Sequence, residues 1–487
     1  IKCWGYNGYG QLGLGDASSR GDDPNELGTN LPSVDLGAGK TPGAVITGYQ
    51  HACAILDDAT VKCWGGNDEG QLGLGDLSNR GDDSNEMGTN LPSVDLGAGR
   101  KVKALSAGMR HTCALLDDAT IKCWGYNGYG QLGLGDASNR GDDPYAEMGT
   151  NLTSVDLGPG RTAVAVVAGS WHTCALLEDA SIKCWGLNEM GQLGLRGVVV
   201  YGDVEDRGDN PYEMGTNLSS IDLGLGRTAK AITAGGGHTC ALMDDASVKC
   251  WGMNIGGQLG IGDTLDRGYQ LYGMGKNLSS VDLGVGRTAL VVEAGGYHTC
   301  ALLDDATVKC WGYNEEGQLG TGDASHRGDN LYEMGENLTS IDLGAGRTPV
   351  AIVASWFYTC ALLVPSTFTE SPIHFCHFSF LVQQRRNSAS LYGCRDQTDL
   401  GFGPALRAGG KHAHREIGRR GPAACFSRTP HPEIHALPIL SRRNTWTASS
   451  LENHSDKISS RKIRGSVHIY AVLSLSLMPK RAYSPLS

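Results

Sequence analysis

The 487-residue sequence has no run of eighteen or more apolar residues, which excludes a helical membrane span of ordinary length. It has no Gly-x-x-x-x-Gly-Lys-[Ser/Thr] phosphate loop, no nucleophile elbow and no helical zinc-protease motif. No two carboxylates stand in visibly different settings, so an acid–base pair cannot be assigned. The expectation is therefore a protein that is not an enzyme and uses no cofactor or metal. An initiating methionine is also lacking. The chain opens at Ile1 and reads as processed or truncated at its front, so the missing secretion signal is no argument for the cytosol.

Glycine is plentiful, at 71 residues, but lacks the every-third-residue period of collagen. Each glycine inside a helix costs about 1 kcal/mol against alanine, so many short strands joined by tight turns fit better than long helices. At roughly 150 residues per domain, the length suits about three domains or one large repeat array. Charge divides the chain. The net charge is −11, yet residues 361–487 hold 17 of the 41 Lys and Arg and only 7 of the 52 Asp and Glu. The remaining residues, 1–360, carry 24 basic and 45 acidic side chains. That acidic part repels nucleic acid and anionic membrane; the basic part is suited to touch either weakly.

The tryptophans set the period. Trp4, Trp64, Trp124, Trp185, Trp251 and Trp311 follow one another at 60, 60, 61, 66 and 60 residues. Each stands in Cys-Trp-Gly, then an asparagine, then Gly-Gln-Leu-Gly. Repeats of this length with several short strands mean a propeller or solenoid. In one unit, residues 163–167 read as a buried strand, and residues 173–177 and 181–185 as a hairpin about Glu178-Asp179-Ala180. Residues 152–157 read as a short outer strand, making four per unit. The turn would favour glycine where every copy has alanine: Ala59, Ala119, Ala180, Ala246 and Ala306. A left-handed backbone there costs on the order of 1 kcal/mol per copy; a shifted turn avoids that cost.

Five cysteine pairs share a spacing of ten: Cys53/Cys63, Cys113/Cys123, Cys174/Cys184, Cys240/Cys250 and Cys300/Cys310. In such a hairpin their Cβ atoms face each other at about 4.5–5.5 Å, close enough for a disulfide after a modest pinch. One disulfide per unit implies an oxidising compartment, extracellular or secretory. Paired buried thiols in a reducing compartment are the other reading. Zinc would need more ligands than a hairpin supplies. Cys3 and Cys360 are half-pairs. If the array closes into a ring, residues 358–362 pair with residues 1–4, and Cys360 meets Cys3. The result is an all-β propeller of about six four-stranded blades, or seven in a longer parent, over residues 1–363.

Gly108–Leu115, Lys122–Asn127 and Gly130–Gly133 recur in the copies and resemble the regulator of chromosome condensation repeat, a β-propeller repeat of about 50 residues. The paired cysteines are most similar to the secreted and bacterial-type members. The resemblance covers residues 1–363 and carries an alternative function: guanine-nucleotide exchange on a small GTPase such as Ran, in the cytoplasm or nucleus. The family's best-known member is seven-bladed and acts through a protruding wedge. Here there are six units, each with about ten extra residues in its acidic segment, as in residues 15–36. The one non-repeated insertion, residues 196–205, is the candidate wedge and the candidate partner-binding loop through Arg196, Tyr201, Asp203 and Glu205.

Other repeated residues read as structural. His51, His111, His172, His238 and His298 recur at one place, whereas a catalytic group is needed once; they suit inter-strand hydrogen bonds. The asparagines from Asn7 to Asn314 suit turns. Acidic clusters such as Asp22, Asp23 and Glu26 form a solvated rim, with calcium as the less specific alternative. Arg-Gly-Asp occurs five times and reads as a turn with an internal ion pair rather than an adhesion signal. Asn151, Asn217, Asn277 and Asn337 begin N-glycosylation sequons. At Leu363 the repeat stops, and residues 364–487 read as an unstructured basic tail; the apolar run at 467–478 is too short to span a bilayer. The expected function is a non-enzymatic, disulfide-stapled scaffold that binds protein or glycan and does not bind nucleic acid.

Overall fold

The computed structural model describes residues 1–143, 147–195, 205–270, 273–365, 390–392 and 474–475. Apart from three short 3-10 turns, their regular elements are all β-strands, joined by long turn-rich segments. A short strand, β1 (Trp4–Gly5), comes first. Five three-stranded antiparallel sheets follow, each built from consecutive strands. They are β2 (Pro42–Thr47), β3 (His51–Leu56) and β4 (Val61–Gly65); β5 (Val102–Ala107), β6 (His111–Leu116) and β7 (Ile121–Gly125); and β8 (Ala163–Ala168), β9 (His172–Leu177) and β10 (Ile182–Gly186). Then come β11 (Ala229–Ala234), β12 (His238–Met243) and β13 (Val248–Gly252), followed by β14 (Ala289–Ala294), β15 (His298–Leu303) and β16 (Val308–Gly312). A sixth sheet joins β17 (Arg347–Ala354) and β18 (Thr359–Pro365) to β19 (Ser390–Tyr392). The last strand, β20 (Ser474–Leu475), runs parallel to β1.

The middle strand of the first five sheets is buried along its whole length, as in His111–Leu116. Both of its faces are covered by neighbouring sheets, which is why it reads as a nearly continuous run of small and apolar residues. The first strands of all six sheets, with the loops that follow them, line one cavity of about 150 Å³. They are therefore the innermost strands of a propeller. The tryptophans Trp64, Trp124, Trp185, Trp251 and Trp311 are completely buried between sheets.

The hairpin turns are left-handed at alanine. Ala59, Ala119, Ala180, Ala246 and Ala306 have φ between 60° and 64°, so the shifted turn is ruled out. The preceding aspartate helps hold the shape: Asp118 Oδ1 accepts from the Thr120 N–H at 3.1 Å and from its hydroxyl at 2.7 Å.

Two expectations need correction. The outer strand at residues 152–157 is not a ladder strand. It meets β7 through one bond, Val155 N–H to Ile121 O at 2.8 Å. Its carbonyls are used elsewhere: Asp156 O accepts from Gly215 N–H, and Leu157 O accepts from Lys183 Nζ. The regular blade therefore has three strands. The composite hairpin of residues 358–362 with residues 1–4 also does not form. The outer edge of β18 is taken by β19, with Ala361 opposite Tyr392, while Trp4 pairs with Ser474. Cys3 consequently has no seat opposite Cys360 and carries no disulfide; burial pushes its thiol pKa up to about 12. The reading of residues 364–487 as a tail falls outside the described residues, apart from Val364, Pro365, β19 and β20.

Candidate functional site

Five hairpins carry the disulfides Cys53–Cys63, Cys113–Cys123, Cys174–Cys184, Cys240–Cys250 and Cys300–Cys310. Each pair is in direct register, as Cys113 is with Cys123, and the Cα atoms are 4.1 Å apart. That is slightly closer than the roughly 4.5 Å of an ordinary non-hydrogen-bonded pair, the pinch a disulfide requires.

The repeated histidines join one blade to the next. His111 Nε2 lies 3.0 Å from Thr173 Oγ1 of the following blade. Thr173 in turn donates its hydroxyl proton to Gln131 O at 2.8 Å, so His111 must be the donor and carries its proton on Nε2. Trp185 Nε1 donates to the same Gln131 carbonyl at 3.0 Å. The arrangement recurs along the array, and burial depresses the imidazole pKa to about 4 at His51, His172 and His298 and to about 3 at His111 and His238. These rings are neutral struts. Gly48 shows why glycine precedes them: a Cβ there would stand 2.3 Å from His51 Cε1 and 2.5 Å from Gly108 O. In the sixth blade both partners change together, to Ser355 and Tyr358.

A second strut was invisible in the sequence. Lys62, Lys122, Lys183, Lys249 and Lys309 are buried. Lys62 Nζ donates to Leu36 O at 3.0 Å and Gly88 O at 2.7 Å, tying the loop of the preceding unit to its own. Only the constancy of lysine before Cys-Trp-Gly could have signalled this role.

The acidic segments are likewise occupied by the fold. Glu86 Oε2 accepts from Gly81 N–H at 2.8 Å and Asp83 N–H at 3.1 Å. Arg20, Arg80, Arg140 and Arg327 of the Arg-Gly-Asp turns each pair with an aspartate four residues earlier, as Arg80 does with Asp76 at 2.5 Å. Asn67 Oδ1 accepts from Leu72 N–H and its Nδ2 donates to Asp76 O, closing a turn. Among the described residues no group of three or more His, Cys, Asp or Glu is placed to hold a metal ion. The sequon residues Asn151, Asn217, Asn277 and Asn337 are all exposed. Of the insertion, Arg196, Tyr201 and Asp203 lie outside the described residues. Glu205 is exposed, with Arg207 at 3.6 Å.

With the repeated residues absorbed by the scaffold, the irregular ones stand out, and they gather at one end of the central cavity. The loop between the first and second strands of each sheet begins at the cavity mouth. Its variable residues are Tyr49 and Gln50, Met109 and Arg110, Ser170 and Trp171, Gly236 and Gly237, Gly296 and Tyr297, and Trp356 and Phe357. In the first five sheets the segment after the third strand is bonded to that loop, as Tyr126 N–H is to Arg110 O and Leu187 N–H to Trp171 O. It too varies, bearing Tyr126 and Tyr129 in one unit and Glu315 and Glu316 in another.

These side chains touch one another. Trp171 meets Tyr126 and Tyr129 edge-on, with ring centroids 5.4 and 5.8 Å apart. Across the mouth Trp356 meets Tyr49 at 5.6 Å and Tyr297 at 5.7 Å, which brings the first and sixth blades together. Arg110 is bound to Glu69 at 3.0 Å, and Asn139 Nδ2 donates to the other Glu69 oxygen. Asp68, Glu189, Glu315 and Glu316 are exposed nearby. Asp206 accepts from Asn188 N–H, and burial raises its carboxyl pKa to about 6. The sequence signal for this surface was the pattern of positions at which otherwise matching copies differ.

A ring of blades about one axial cavity, with a buried Trp-centred motif in each of the first five, defines a repeat β-propeller. Residues 1–350 match the RCC1-like domain, and the chain belongs to that family. It is 30% identical over 348 residues to the ultraviolet-B receptor UVR8 of Arabidopsis thaliana, covering 71% of this chain and 68% of the receptor. It is also 30% identical over 307 residues to the human probable E3 ubiquitin-protein ligase HERC6, but that match spans 62% of this chain and only 25% of the ligase. Among solved structures, yeast RCC1 (Prp20) bound to Kap60 superposes with a TM-score of 0.52 over 75% of this chain and 76% of its own, at 21% identity, which shows the shared fold. Among the described residues no helix is long and apolar enough to cross a membrane.

Proposed function

We propose that this propeller is a non-enzymatic, disulfide-stapled scaffold that binds a protein at the aromatic end of its central cavity. One observation carries the reading: residues that differ between otherwise matching units converge on that end, while the repeated histidines, lysines and carboxylates are consumed by the fold. A scaffold keeps its frame constant and varies the surface that touches a partner. Glu205 adjoins Asp206 beside this end, and we assign the insertion bearing Arg196, Tyr201, Asp203 and Glu205 to the same contact. The disulfides and the exposed sequons at Asn151, Asn217, Asn277 and Asn337 support an extracellular or secretory location, with glycans on the rim. A glycan partner is supported only by the half-buried rings at this end. Nucleotide exchange on a small GTPase is supported in this chain by the shared fold alone.

A photo-crosslinking amino acid at position 171 should yield a discrete adduct with a second protein in extracts of the source cells. The same probe at Asp245, on a hairpin turn at the opposite end, should not. Equal adducts at both positions, or none at 171, would overturn the assignment.

A further inference from the structure

The aromatic end has a charge character that its rings alone do not reveal. Asp68, Glu189, Glu315 and Glu316 are exposed there, and one guanidinium at this end, Arg110, is paired with Glu69. Tyr126, Tyr129 and Trp171 form one cluster, and Tyr49, Trp356, Tyr297 and Phe357 form another at the cavity mouth. Burial raises the phenol pKa values of Tyr49 and Tyr126, so both remain neutral donors at physiological pH. Aromatic faces attract cations, guanidinium above all, and nearby carboxylates add Coulombic attraction that an anionic or neutral partner could not use. A cavity of about 150 Å³ opening beside Tyr49 and Trp356 has room for one extended side chain, not a folded element.

We propose that this end captures an arginine- or lysine-rich segment of the partner protein. The inference rests on the protein-binding reading above and specifies its partner. Guanidinium groups stack on Trp171 and Tyr129 and on Trp356 and Tyr297, while Glu189, Glu315 and Glu316 hold the charge. The net-negative propeller, with 45 acidic against 24 basic side chains in residues 1–360, draws the segment in over a longer range.

The test uses the full chain and fluorescein-labelled nona-arginine, followed by anisotropy at about 0.15 M salt, where charges beyond roughly 8 Å are screened. Trp171→Ala combined with Tyr129→Ala should weaken binding at least tenfold. Position 171 is glycine in another unit, at Gly237, so the fold accommodates the loss. Glu189→Gln with Glu315→Gln should weaken it similarly. Asp57→Asn with Glu178→Gln removes the same charge from the opposite end and should change affinity less than twofold. Equal loss from both charge pairs would mean general acidity and overturn the proposal, as would absence of binding. Cross-links from position 171 into this chain's own basic residues 366–487 would overturn the assignment to a partner. A cross-linked partner without a basic segment at the contact would overturn this inference alone and leave the protein-binding reading standing. Absence of any protein adduct at 171 would remove both.

Discussion

His51 and Thr112 stand 61 residues apart in the chain, yet His51 Nε2 donates to Thr112 Oγ1 at 2.9 Å across the boundary between two blades. Thr112 forwards its own proton to Gln71 O at 3.0 Å. The relay joins three segments through two buried bonds, leaving each blade dependent on the next.

Breaking one relay should cost measurable stability. Thr173→Val keeps the shape but leaves His111 Nε2–H without its acceptor and Gln131 O with one donor fewer. A buried donor left unpaired costs about 1–3 kcal/mol, which a shift of the denaturant midpoint at constant slope should register.

The same histidines make the propeller acid-labile. Their folded pKa values lie near 3 or 4, below the ordinary value of 6.5. The unfolded chain therefore binds more protons below pH 6.5. Stability is fully present above that pH and declines as pH falls towards 4, by roughly 1.4 kcal/mol per pH unit for each histidine that has titrated in the unfolded state. Thermal melts from pH 7 to 4 should show this, and His238→Gln should flatten the dependence.

Glu293 titrates in the opposite sense. One of its oxygens is buried without a hydrogen-bond partner among the described residues, and burial raises the carboxyl pKa to about 8. Because the folded value exceeds the ordinary 4.5, stability falls as pH rises from 4.5 to 8. Glu293→Gln should raise the melting temperature at pH 8 and change it little at pH 4.5.

The left-handed alanines are stored strain. Ala119→Gly, at φ 64°, should stabilise the protein by about 1 kcal/mol, and the same change at Ala180 should add to it. A loss of stability at both sites would show that the methyl group contributes more by packing than its backbone costs.

Each disulfide closes a short hairpin. Replacing Cys113 and Cys123 by serine should cost about 2–3 kcal/mol. Non-reducing peptide mapping should recover the pairs 53–63, 113–123, 174–184, 240–250 and 300–310. Cys3, buried and with its thiol pKa pushed up, should resist alkylation until the protein unfolds.

By itself the sequence determined what recurs. Its period, its cysteine spacing and its alternation of short apolar runs with glycine turns are local or periodic signals, and each translates directly into a backbone feature. The hairpins about Ala119 and Ala180, the Cys113–Cys123 register and the burial of Trp124 were legible for that reason. Tertiary structure decided what depends on competition between distant groups. Leu157 O went to Lys183 rather than to a fourth ladder strand, and the edge of β18 went to β19 rather than to Ile1–Trp4. It also decided where the irregular residues meet. Trp171 and Tyr126 lie in different units and share no local motif. Only the closing of successive blades around one cavity brings their rings to 5.4 Å, because packing between sheets, unlike spacing along a strand, is not written in any short stretch of chain.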